Sequence, residues 1–291
     1  MKKFIFPCII SLSLLASIFN GDDRKNFFEI DNPKIRELSR SIPSLIQKDR
    51  LIKTDQGYQI STKTLSEGYN FCPDANFSDE YQLANCSAAL IADDLVLTAA
   101  HCLNQDPNDN FHPSKYTIVF DYKRLTPLRP EIIPAKDVYE IENEMPLFIF
   151  NWDNMLDVAI LKLKRKVKNR KPVELNLNHD YHTSTPLFVL GYPLGVSQKL
   201  TDDSNITKLK LNENSFQHEL DTFSVNSGSA VFDLNTLEVI GVHVRGTNGS
   251  ASNGQRNNCR DWRIGISGKD FGEANMLSPL KNEIEAIIKN N

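Results

Sequence analysis

The 291-residue sequence has no long run of basic residues: 33 Lys and Arg stand singly or in short groups among 37 Asp and Glu, for a net charge of −4. No electrostatic footprint for a nucleic acid is present, and a polyanion-binding role is not expected. No apolar run reaches the roughly twenty residues that a bilayer span needs; the nearest, Phe4 to Phe19, is shorter and is broken by Pro7 and serines. Neither a Cys-x-x-Cys pair nor a Cys/His cluster of zinc spacing occurs, and the acids near Asp106 and Asp202 lack the EF-hand arrangement, so no metal and no cofactor is expected. The chain also lacks an internal repeat and a Gly-x-Ser-x-Gly elbow, which argues against a lipase or esterase built on that turn. With 40% hydrophobic and 24% charged residues it is not disordered, and it is long enough for one large core or two modest ones.

Met1, Lys2 and Lys3 ahead of the Phe4–Phe19 run have the layout of a secretory signal, with cleavage expected between Ala16 and Gly21. Residues 1–20 are therefore read as the signal peptide and the product as secreted or periplasmic, without membrane attachment after cleavage. Cys8 lies inside the run and leaves with it. Cys72, Cys86, Cys102 and Cys259 remain, an even number in an oxidising compartment, where two disulfides are expected in any of three connectivities.

Beyond a polar stretch from Asp22 to Ser66, short β-rich runs alternate with Gly, Pro, Asn and Asp, which favours an all-β fold. The strands expected are Ala88–Ile91, Leu95–Thr98, Tyr116–Tyr122, Val158–Leu163, Leu187–Leu190, Ala230–Phe232 and Glu238–Val244. Asp93-Asp94 and Asp233–Thr236 read as hairpin turns, and the Asn-rich stretches Asn104–Asn110 and Thr247–Asn258 as solvated loops. A terminal helix follows Pro279, with Leu280, Ile284, Ile287 and Ile288 at helical spacing; it is expected to pack on the last barrel. A boundary between two halves fits Lys168–Pro172.

Three segments carry chemistry, in the order His, Asp, Ser: Leu97-Thr98-Ala99-Ala100-His101-Cys102, Leu156-Asp157-Val158-Ala159-Ile160-Leu161 and Asn226-Ser227-Gly228-Ser229-Ala230. A serine hydroxyl needs a base near neutrality within hydrogen-bond reach, and that base needs an acceptor to hold its tautomer. Together these segments resemble the histidine, aspartate and serine motifs of the trypsin-like serine peptidases. The stretch from Gly191-Tyr192-Pro193 through the serine loop to Gly241-Val242-His243 is similar to the bacterial glutamyl-endopeptidase-like members, and Gly21-Asp22-Asp23-Arg24 resembles their mature N-terminus. The resemblance implies two antiparallel six-stranded β-barrels with a C-terminal α-helix: residues 21–171 with the first barrel, 172–291 with the second barrel and the helix. It further implies Ser227 as nucleophile, His101 as base, Asp157 as its orienter, and a Cys86–Cys102 disulfide that leaves Cys72 and Cys259 to each other. The partners implied are protein or peptide substrates.

Two departures from the pattern matter. Val225 occupies the place, two before the serine, where glycine normally lends its amide beside that of Ser227 to the oxyanion hole; a β-branched residue resists positive φ, so a strained or unformed hole and weak or substrate-induced activity are expected. Asn226 stands where animal zymogens carry the aspartate that binds a new N-terminus, as it does in the bacterial branch. The pocket reads two ways: Asp221 matches the carboxylate that binds Lys or Arg, whereas Thr222 and His243 match the groups that bind a glutamate. A non-catalytic homologue that binds protein through the same cleft is the rival reading. His179 and His182 read as solvated, while His112 and His218 show no partner pattern.

Overall fold

The computed structural model describes residues 17–103, 113–142, 147–151, 156–247, 255–256 and 258–291. The expected loop Asn104–Asn110, together with His112 and Asp106, lies outside them.

The C-terminal half is a closed antiparallel barrel. Its strands run in the order Lys199–Lys210, Pro186–Gly191, Ala230–Asp233, Val239–Gly246, Gly272–Met276 and Ser215–His218, and the last pairs back onto the first; the short strand Lys25–Asn26 is added outside. Alternation along these strands sends Leu187, Val189, Ile206, Phe216, Val231, Ile240 and Ala274 into one buried cluster. In the N-terminal half, two four-stranded sheets take the place of a ladder closed all the way round. One is built on Ser44–Gln47, Cys86–Ser87, Tyr116–Val119 and Val138–Glu140, the other on Ala89–Ala92, Leu95–Thr98, Leu147–Asn151 and Leu156–Lys162. The chain passes directly from Ser87 into Ala89, and an Ile141–Leu163 bridge joins the sheets elsewhere. Their facing residues form the largest core, which also takes in Phe188, Phe232, Val239 and Val242 from the barrel.

The terminal helix spans Lys281–Lys289, and its Leu280, Ile284 and Ile287 join that large core. It therefore rests on a core that includes residues of the last barrel, Phe188, Phe232, Val239 and Val242, and extends into the N-terminal half. Among the described residues, no helix is long and apolar enough to cross a membrane.

The polar N-terminal stretch is structured. Ile18 bridges to Ile264, Phe19 is buried, and Asp23 accepts from the Thr201 hydroxyl and the amides of Asp202 and Asp203. Arg24 is buried with its guanidinium 3.7 Å from the Trp262 ring and between Phe77 and Phe223, and it pairs with Asp22 through two 2.7 Å bonds. This strap, Ser17–Asn26, is thereby fastened along the loop that leads to Ser227.

The disulfides are Cys86–Cys102 and Cys72–Cys259. The first ties the strand before Ser87 to the turn that carries His101.

Candidate active site

His101 stands in the 3-10 turn Ala100–Leu103, just past the strand Leu95–Thr98. That strand pairs antiparallel with Leu156–Lys162, Thr98 opposite Ala159, so the register brings Asp157 alongside the turn. One carboxylate oxygen of Asp157 accepts the His101 backbone N–H at 2.8 Å, and the other lies 2.6 Å from Nδ1 of the ring. Because an ionised carboxylate only accepts, Nδ1 carries the proton and Nε2 is left with its lone pair, the form a general base requires. Asp157 is itself buried and oriented: its N–H donates to the Asn275 side chain, on a barrel strand, at 2.9 Å. The Asp157 backbone is thus tied to the other half.

Ser227 meets this turn from the barrel side. Its carbonyl accepts the Ser87 N–H at 2.8 Å and lies 3.7 Å from Cys102 Sγ, beside His101 in sequence. Gly228 has φ 85°, and a side chain there would fall 2.1 Å from the Ser87 carbonyl and 2.2 Å from the Thr98 hydroxyl, so only glycine admits so close an approach of the two halves. Asn226 is buried and closes its own loop, its N–H donating to the Phe223 carbonyl and its side-chain oxygen accepting the Phe223 N–H.

Val225 adopts φ 75°, the left-handed conformation in which glycine is normally found. A valine held there carries strain on the order of 1–3 kcal/mol. Among the described residues, no backbone carbonyl accepts the Val225 or Ser227 N–H. The positive φ at Val225 is the backbone strain that the sequence reading anticipated.

The pocket candidates part company. Asp221 is buried, one oxygen accepting the Phe19 N–H at 2.7 Å and the other the Asp23 N–H at 3.2 Å. Burial pushes its carboxyl up to about 8 despite the Phe19 bond. Both oxygens thus hold the N-terminal strap to the serine loop. Thr222 is buried beside it. His243 is tied to the two residues that follow Ser227, its carbonyl accepting the Gly228 N–H and its N–H donating to the Ser229 carbonyl.

His218, which showed no pattern in sequence, is the partner of His243. The Leu220 N–H donates to His218 Nδ1 at 3.2 Å, so His218 carries its proton on Nε2, 3.1 Å from His243 Nδ1. That fixes His243 as the tautomer with the proton on Nε2, where it has no partner among the described residues. Burial lowers His218 to about 3 and His243 well below its ordinary value, so the pair is neutral near pH 7. Twenty-five residues apart and on different strands, these histidines carry no spacing signal; Ser87 and Asn275 are equally silent in sequence.

Of the remaining candidates, His182 is exposed and 3.1 Å from Asp180, His179 packs edge-on to Tyr181, and Asp202 pairs with Lys25. Cys86, His101 and Cys102 bring their donor atoms within 4.8 Å of one another, but both sulfurs are spent in the disulfide and are not thiolate ligands.

Residues 86–242, a little over half of the chain, match the family model of the trypsin-like peptidase domain. Similar solved structures include a Glu endopeptidase in complex with MPD, at 18% identity and TM-score 0.54, with 93% of this chain and 99% of that one covered. A serine endoprotease from Yersinia pestis is similar at 16% identity and TM-score 0.50, over 88% of this chain and 65% of that one. The Vibrio cholerae VesB protease is similar at 13% identity and TM-score 0.51, over 90% and 65%. At these identities the likeness is one of fold, and the chain spans 65% of the length of the latter two proteins. No curated protein matches it in sequence.

Proposed function

The chain belongs to the trypsin-like peptidase family, a family of serine proteases, and we propose that it hydrolyses peptide bonds through Ser227, His101 and Asp157, with a glutamate preferred before the scissile bond. The observation that carries the first part is the double grip of Asp157 on His101, through its N–H and its Nδ1. His101 Nε2 takes the Ser227 proton as the hydroxyl attacks the carbonyl. The tetrahedral oxyanion is met by the Val225 and Ser227 amides. His101 then returns the proton to the leaving amine, and water repeats the sequence on the acyl-enzyme. The positive φ kept at Val225, where glycine is normally found, favours this reading over a binding module that has lost its chemistry.

The glutamate preference is supported by two features. Asp221 is engaged by two backbone amides of the strap and is not open to a Lys or Arg side chain. His243 is held by His218 as a neutral donor beside the Ser227 loop, suited to a carboxylate. Secretion is supported by the two disulfides. Processing before Ser17, at the edge of the expected window, retains the buried Ile18 and Phe19 and the cap on Asp221.

A peptide-library digest by the mature protein, with Ser227→Ala as control, tests the proposal. Ser227-dependent cuts after Glu are expected. Cuts after Lys or Arg would return the pocket to Asp221, and no Ser227-dependent cutting would leave a binding module.

A further inference from the structure

The strained position of Val225 raises the question of what holds it there. Glycine needs no brace at φ 75°, whereas a β-branched residue relaxes to another conformation unless its surroundings prevent it. The Val225 carbonyl accepts a 2.9 Å hydrogen bond from Ser87 Oγ. That hydroxyl is itself oriented, accepting the Tyr192 N–H at 3.2 Å, and Ser87 is completely buried. The Ser87 N–H donates to the Ser227 carbonyl at 2.8 Å, and the Ser87 carbonyl accepts from the Thr98 hydroxyl at 2.8 Å. One residue of the N-terminal half therefore holds the carbonyls on both sides of Asn226. Gly191 leaves room for this arrangement: a Cβ there would stand 2.2 Å from Ser229 Oγ, 2.4 Å from Asn226 Nδ2 and 3.3 Å from Ser87 Oγ.

We propose that Ser87 is a positioning residue for the oxyanion hole, whose hydroxyl holds the Val225 carbonyl so that valine does at this position what glycine does unaided. The inference rests on the peptidase reading above and deepens it. Ser87 touches no reacting atom; it holds the peptide units that follow Val225 and Ser227, and so limits the backbone rotation of the two residues whose own N–H groups form the hole. Its side chain is thereby coupled to the identity of residue 225, and that coupling distinguishes it from ordinary packing. Loss of the Ser87 hydroxyl also strands the Tyr192 N–H, but it does so whatever stands at 225, so the effect cancels in a double-mutant cycle.

The experiment is that cycle: wild type, Ser87→Ala, Val225→Gly and the double variant, on an internally quenched peptide with a single glutamate. Active-site concentration is set by fluorophosphonate titration. Removing a hole donor outright costs about a hundredfold or more, so misaiming one is expected to lower kcat by about 10- to 100-fold in Ser87→Ala, with KM within about twofold. In the Val225→Gly background, the same Ser87→Ala change is expected to cost at most about threefold in kcat. An equal loss in both backgrounds, or a loss confined to KM, overturns the inference. If Ser87→Ala does not fold, recovery of folded protein in the double variant, read by circular dichroism, supports the coupling, and failure of both overturns it. A wild-type protein that neither cuts the peptide nor takes up fluorophosphonate overturns the peptidase reading itself, an outcome distinct from an additive cycle in an active enzyme.

Discussion

Replacing His218 with Phe removes the proton donor to His243 Nδ1 and leaves the position apolar and aromatic. In the wild type His218 Nε2 lies 3.1 Å from that nitrogen, and the Leu220 N–H at the other ring nitrogen dictates which end of His218 carries the proton. Without it, His243 is free to place its own proton on either nitrogen, and the form that donates towards a substrate carboxylate loses its bias. One neutral hydrogen bond contributes about 0.5–1.5 kcal/mol, so the preference for Glu over Gln before the cut should fall about two- to tenfold in His218→Phe. In His243→Leu the donor to a charged group is lost, a difference of about 1.5–3 kcal/mol, and the preference should fall about 10- to 150-fold. The assay is the ratio of kcat/KM for two quenched peptides that differ only in Glu or Gln. The ratio cancels the titration of the catalytic base, which acts on both. Because burial holds His218 at about 3 and His243 well below its ordinary value, the donor is neutral imidazole throughout, and the wild-type ratio should stay flat from pH 6 to 7, below the range in which Asp221, raised to about 8, ionises. A ratio unchanged in both variants, or one that climbs with acid as an imidazolium forms, would refute the assignment.

Further outcomes follow from other contacts. Asp157→Asn keeps a group of the same shape but offers Nδ1 the wrong partner, and kcat should fall about 10⁴-fold with melting behaviour preserved. Cys86→Ala with Cys102→Ala opens a loop of sequence separation 16 and should cost about 3 kcal/mol in urea unfolding. Stability should depend on pH through two opposed groups. The buried histidines bind protons less readily folded than unfolded, so their contribution is complete above about 6.5 and is lost as pH falls towards 3. Asp221, raised from 3.8 to about 8, contributes fully below 3.8 and loses its contribution as pH rises towards 8. Between pH 6.5 and 8 Asp221 draws stability down by up to about 1.4 kcal/mol per pH unit, offset as pH nears 8 by Lys199, which burial lowers to about 8, and Asp221→Asn should remove the downward slope. A wild-type curve rising over this interval would contradict the burial argument.

Much of the site was legible in the sequence because its members sit in short, contiguous motifs. The strand Leu95–Thr98 was read with the bounds it has, and those of Ala230–Asp233 and Pro186–Gly191 differ by only a residue at an end, because their apolar runs are buried on both faces. The long strand Lys199–Lys210 was not foreseen. Asp202, Asp203, Ser204, Asn205 and Thr207 give it the composition of a loop, and its backbone is held by neighbouring strands on both sides together with the strap at Asp23. Ser44–Gln47 was hidden in a stretch whose polar average masks Leu45 and Ile46, both fully buried. Asp221 shows the same limit at the site: the carboxylate is where a Lys- or Arg-binding acid would stand, but its partners, Phe19 and Asp23, come from the other end of the chain. Such long-range amide caps leave no local periodicity.

The central claim is that Ser227 is a nucleophile activated by a His101 that Asp157 holds in one tautomer. The most direct measurement is fluorophosphonate labelling of the mature protein at pH 7.5, with the modified residue mapped by mass spectrometry. The account predicts one adduct, on Ser227, lost in Ser227→Ala and strongly slowed in His101→Ala. No adduct on a folded protein, or one that forms equally fast without His101, would contradict it.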